Sequence, residues 1–104
     1  MSTNYVSSGK TVTLPAPTGG STAGIPQVIG DLAVMPLQSG SKGAIITYHT
    51  EGEWDAPAAQ GLTAGSKVNV LQGQLVAPET ADSKPYGKLT TDVVNGAASV
   101  LIVQ

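Results

Sequence analysis

Apolar and polar residues follow one another two by two along this chain, in short runs cut by glycine and proline. The clearest run is "AIITYHTEGEWDAP", residues 44–57. Ile46, Tyr48, Thr50, Gly52, Trp54 and Ala56 occupy one parity, and Thr47, His49, Glu51, Glu53 and Asp55 the other. Strand side chains alternate faces, so this is the apolar-in, polar-out pattern of a half-buried antiparallel strand. Ala44–Thr50 carries Ile45, Ile46, Thr47 and Tyr48, all strand-favouring. Glu53–Ala56 either continues that strand through a bulge at Gly52 or returns as a hairpin arm turning at Glu51-Gly52. Tyr48 and Trp54 are expected to share a face and to anchor the core or a subunit contact.

The same pattern predicts strands at Ile25–Ile29 and Leu32–Leu37 around a Gly30-Asp31 break. It predicts others at Lys67–Leu71 and Gln74–Val76 around Gln72-Gly73, and at Tyr86–Thr90 and Ser99–Val103 with Asn95-Gly96 between them. These dipeptides are hairpin punctuation. No segment sustains a 3.6-residue apolar period, and Pro57 and Gly61 confine the helical candidate Ala58–Gln60 to about one turn. The reading is an all-β, single-domain fold, a small β-barrel or β-sandwich of about eight short strands. A weak echo runs through it: Thr22-Ala23-Gly24 and Thr63-Ala64-Gly65 each precede a strand, a tight turn and a second strand.

The first 24 residues read differently. "SSGKTVTLPAPTGGSTAG" is Ser-, Thr-, Gly- and Pro-rich, with Lys10 as its one charge. Such composition buries little apolar surface. The division predicted is a polar, flexible N-terminal arm over 1–24 and a β domain over 25–104. The arm is either a loose terminus or a segment that orders on a partner, and the alternation Thr11-Val12-Thr13-Leu14 suits an added edge strand.

Composition narrows the chemistry. The 104 residues include 13 Gly and 7 Pro but no Phe and four other aromatics, so the core must be built mostly from Val, Ile, Leu and Ala. There is no Cys, which rules out disulfides and thiolate metal sites. Five Lys, no Arg and seven acids leave no basic stripe for nucleic acid. No signal peptide is seen, and no apolar run nears the roughly 20 residues of a membrane span.

His49 is the sole histidine, and with Glu51 it supplies two potential metal ligands where a site needs three or four. Glu51 and Glu53 on one strand face cannot flank a glycosidic bond from opposite sides. His49 alone is a pH switch or a solvated residue. No Gly-x-Ser-x-Gly elbow occurs, and "GSKGA" (40–44) and "TGGSTAG" (18–24) lack the ending of a phosphate loop. "KPYGKL" (84–89) reads as a strand entry bulged at Gly87. No catalytic, cofactor-binding or metal residue is assigned, and no enzyme is expected.

Several pieces stand in a recognisable order. They are Tyr5 and Gly9 as "Y-x-x-x-G", Ala23, Gly24 and Pro26 as "A-G-x-P", "E-G-E-W-D-A-P", "L-T-A-G-S-K-V" and a late "Y-G-K-L". Together, over most of residues 5–103, they resemble the capsid cement or head decoration proteins of tailed bacteriophages. That resemblance implies a non-enzymatic structural protein without cofactor. It would be made in the host cytoplasm and sit on the outer capsid surface of the virion. There it would bridge and stabilise copies of the major capsid protein, as a homo-oligomer in which a trimer is favoured over a dimer. Neither nucleic acid nor membrane is a partner in this reading. Tyr5, Val12, Leu14 and Trp54 are the expected partner-binding residues. The rival expectation is a carbohydrate- or host-surface-binding β module that stacks ligands on Trp54 and Tyr48.

Overall fold

The computed structural model describes residues 9–104, so the expectation for Tyr5 lies outside the described residues. Among these residues there are nine strands and no helix. They are β1 (Thr11–Pro15), β2 (Gln27–Ile29), β3 (Leu32–Pro36), β4 (Ile45–His49), β5 (Glu53–Pro57), β6 (Lys67–Leu71), β7 (Gln74–Val76), β8 (Lys84–Leu89) and β9 (Ala97–Ile102). They form two antiparallel sheets, one ordered β1-β4-β3-β2 and one ordered β5-β9-β8-β6-β7. The second curls into a half-barrel whose ends meet where Ala58 bridges Leu75 in parallel. The all-β reading holds, and each predicted strand lies within a few residues of an observed one.

The chain departs from the predicted division at its start. Residues 11–15 are a strand of the first sheet, paired with β4 from Thr11↔His49 to Pro15↔Ile45. Val12 and Leu14 pack inward, and Ala16 and Ser21 are buried. The polar stretch orders on its own chain because β4 offers it a ladder and its even positions supply the apolar side chains.

Two cores flank β3. Its run "LAVMP" is apolar at consecutive positions, the signature of a strand covered on both faces. Ala33 and Met35 join the larger core under the half-barrel, with Val68, Leu75, Tyr86, Leu89 and Val100. Val34 joins the smaller one with Ile46, Tyr48 and Ala16. Tyr86 ties the cores together, its hydroxyl donating to the Val34 carbonyl at 2.8 Å. Burial pushes the Tyr86 phenol well above the ordinary tyrosine range.

β3 and β4 pair only at Met35↔His49 and Pro36↔Tyr48 before β4 veers away. The backbone groups of Ala33 that face the missing stretch of β4 are met by a side chain. Gln104 accepts from the Ala33 N–H at 3.0 Å and donates to its carbonyl at 2.7 Å, and also to the Thr50 carbonyl at 2.8 Å. A side-chain amide thus stands in for one rung of the ladder, where an unpaired buried amide would be costly.

The bulge expected near Gly87 is present. Val68 pairs with Gly87 and Asn69 with Pro85, leaving Tyr86 as the extra residue. The sequence echo also has a structural counterpart. In each Thr-Ala-Gly turn the following residue bonds back to the Thr carbonyl, Ile25 to Thr22 at 3.1 Å and Ser66 to Thr63 at 3.2 Å. In each, the Gly N–H also docks on the end of another strand, at Pro36 or at Leu89.

Candidate interaction surface

The stretch 48–57 is neither one bulged strand nor a hairpin. β4 ends at His49 in the first sheet, and β5 begins at Glu53 in the second. The three-residue passage between them turns at Gly52, whose φ of +107° is open to glycine and strained for other residues. Crossing between sheets separates the residues expected to share a face. Tyr48 is 0% exposed in the smaller core, its hydroxyl 2.8 Å from the Ser21 hydroxyl. Trp54 is half-buried against the larger core, with its indole N–H donating to the Glu51 carbonyl at 3.1 Å. The ring that meets Trp54 is His49, of the opposite parity, with centroids 4.7 Å apart. A stacking platform made of Tyr48 and Trp54 is therefore not presented, because the Tyr48 ring offers no face to a ligand.

The acids of the stretch are spread out. Glu53 accepts from the Thr90 hydroxyl at 2.5 Å. Asp55 accepts from the hydroxyl of its cross-strand partner Ser99, also at 2.5 Å. His49 lies against Trp54 instead of facing them. Among the described residues no group of three or more His, Cys, Asp or Glu is placed to hold a metal ion.

Gly52→Ala tests the crossing. An added Cβ would stand 3.1 Å from the Trp54 indole nitrogen at a backbone angle that disfavours it. The expected result is a loss of about 1–3 kcal/mol in urea unfolding, with an altered Trp54 emission maximum in the folded state. An unchanged midpoint would show that the passage tolerates a side chain.

The outer edge of β1 is open to a partner. Thr50 N–H bonds to the Lys10 carbonyl at 3.0 Å and Ala16 N–H to the Ala44 carbonyl at 2.8 Å. In the register Thr11↔His49, these contacts place the even residues of β1 as those that bond β4. The N–H and C=O groups of Thr11 and Thr13, and the carbonyl of Pro15, then point away from the sheet. Among the described residues no strand covers that edge. The side chains of Thr11, Thr13 and Pro15 are exposed, while those of Val12 and Leu14 are half-buried against the smaller core. Beside Pro15 in register stands Ile45, which is 68% exposed. Of the residues expected to bind a partner, Val12 and Leu14 lie on this strand with their side chains turned to the smaller core. The pairing partner β4 decides which half faces out, and that is not written locally.

The fold thus defines a small all-β domain of two antiparallel sheets, with the outer edge of β1 left uncovered by any described strand. No known protein family, curated protein or solved structure matches the chain.

Proposed function

We propose that the protein is a structural head decoration protein of a tailed bacteriophage. It binds the outer capsid surface, bridges copies of the major capsid protein, and carries out no chemical step. It acts as a homo-oligomer, with a trimer favoured. The ordered motif set that resembles the cement proteins motivates this reading. The structural observation that carries it is the open β1 edge, with its outward Thr11 and Thr13 amides and the exposed Ile45 beside it. An edge of this kind accepts an extended segment by main-chain hydrogen bonds. Many such small contacts, repeated over a symmetric shell, gain strength through multivalency.

Co-sedimentation with empty, expanded heads tests the proposal. The wild-type chain is expected to pellet with the heads and to saturate. Thr13→Pro removes one outward N–H and leaves the β4-facing groups of Val12 and Leu14 in place, a position where an edge strand tolerates proline. It is expected to weaken decoration at least about tenfold, the effect of losing roughly 1.4 kcal/mol, with a much smaller change in thermal midpoint. Deleting residues 2–8 separates the contribution of the extreme N-terminus from that of β1. A wild-type chain that stays in the supernatant at every head concentration rejects the function. Unchanged binding by Thr13→Pro rejects the edge as the contact.

A further inference from the structure

The chain has five basic residues, all lysine, yet two of them stand directly opposite each other. Lys67 on β6 is the register partner of Lys88 on β8. Side chains so paired have Cβ atoms about 4.5–5.5 Å apart, and like charges there are destabilising. Both lysines are exposed, and neither makes an ion pair with any described residue. The next residue across the sheet from Lys88 is apolar Leu101. Beyond it, Glu53 is already engaged by Thr90. Among the described residues no acidic side chain forms an ion pair with either lysine, in a chain whose net charge is −2.

The two lysines also line a cleft of about 370 Å³ with Asn69, Pro78, Pro85 and Val103. The Asn69 amide nitrogen is spent on the Pro78 carbonyl at 3.2 Å and the Ser83 hydroxyl at 2.9 Å. The side-chain cations at the cleft are therefore two ammonium groups, and the rest of its side-chain rim is largely prolines and the 44%-exposed Val103. A phosphate gains most from forked guanidinium or converging N–H donors, and this chain has no Arg. A carboxylate on an aliphatic stem suits both parts. Its oxygens meet the ammonium groups, and its methylenes lie on Pro78, Pro85 and Val103.

We propose that the Lys67–Lys88 cleft is a docking site for the acidic side chain of an aspartate or glutamate on a partner polypeptide. Binding relieves the like-charge opposition and covers the apolar rim together. The site lies on the half-barrel, on a different sheet from the β1 edge, and does not depend on the capsid reading.

Amide NMR on the full chain tests it, with three probes: acetyl-Gly-Val-Glu-Val-Gly-amide, its Gln counterpart, and inorganic phosphate. The Glu peptide is expected to shift the amides of Lys67, Val68, Gly87 and Lys88, more weakly as salt rises. Lys67→Gln with Lys88→Gln is expected to reduce its affinity by about five- to tenfold, the effect of two exposed ion pairs. Lys88→Gln alone is expected to keep or raise the thermal midpoint, because it removes a repulsion. Equal shifts from the Gln peptide, unchanged affinity in the double variant, or a lowered midpoint for Lys88→Gln each overturn the proposal. Phosphate shifting the same amides at lower concentration than the peptide overturns the carboxylate assignment.

Discussion

Gly87→Ala is expected to cost about 3 kcal/mol or more, the largest effect of any single methyl group added to this protein. A Cβ at Gly87 would stand 2.0 Å from the Leu101 carbonyl oxygen and 3.2 Å from the Ile102 Cα. Both are backbone atoms of β9, so no side-chain rotation relieves the contact. Nor can β9 retreat. On its far side it pairs with β5 from Glu53↔Leu101 to Pro57↔Ala97, and shifting it breaks that ladder too. Against a total of about 5–15 kcal/mol for an ordinary domain, such a loss leaves little folded protein under mild denaturant. Urea unfolding and a thermal scan measure it, with an expected fall in midpoint of roughly 12–24 °C. Adding Leu101→Ala is expected not to rescue Gly87→Ala. Rescue would place the conflict at the side chain and refute the backbone account.

Tyr86→Ala is expected to cost about 3–5 kcal/mol, and Tyr86→Phe about 1–2 kcal/mol. The ring is fully buried in the larger core, in a chain with no Phe and one Trp to share that volume. The hydroxyl does separate work, since its bond to Val34 reaches the strand that divides the two cores. Tyr86→Phe keeps the packing and leaves the Val34 carbonyl without that donor. The same burial gives the pair a pH signature. In the unfolded chain the phenol ionises near 10; in the folded protein burial holds it protonated to higher pH. The stabilisation is therefore complete below about pH 10 and is lost as pH rises above it, because the unfolded state releases its proton first. Urea midpoints at neutral and strongly alkaline pH should converge between wild type and Tyr86→Phe as pH rises. A constant gap would mean that the hydroxyl ionises equally in both states.

Most of the secondary structure was legible in the sequence because its causes are local. The hairpin at Gln72-Gly73 takes φ of 51° and 80°, and that at Asn95-Gly96 takes 54° and 78°, so the two-residue turns predicted at these dipeptides form there. The apolar run Leu32–Leu37 was legible as a strand, while its burial on both faces follows from the two cores that flank it. The strand alternation of Thr11–Leu14 was legible as well, but Val12 and Leu14, expected to meet a partner, pack against the smaller core instead.

Tertiary structure decided what joins to what. β6 pairs with β8 across an intervening strand, so the opposition of Lys67 and Lys88 is invisible in a chain where they lie 21 positions apart. Parity predicted that Tyr48 and Trp54 would share a face, and the passage through Gly52 into a second sheet gave them different cores. Parity is a rule for one continuous strand, and it lapses where the backbone leaves its sheet. The sequence alone thus determined strands, turns and the apolar core set, through alternation and backbone preference over a few residues. Sheet membership, the free edge of β1 and the charge opposition on the half-barrel follow from long-range pairing. There the free energy of burying whole faces outweighs any local signal.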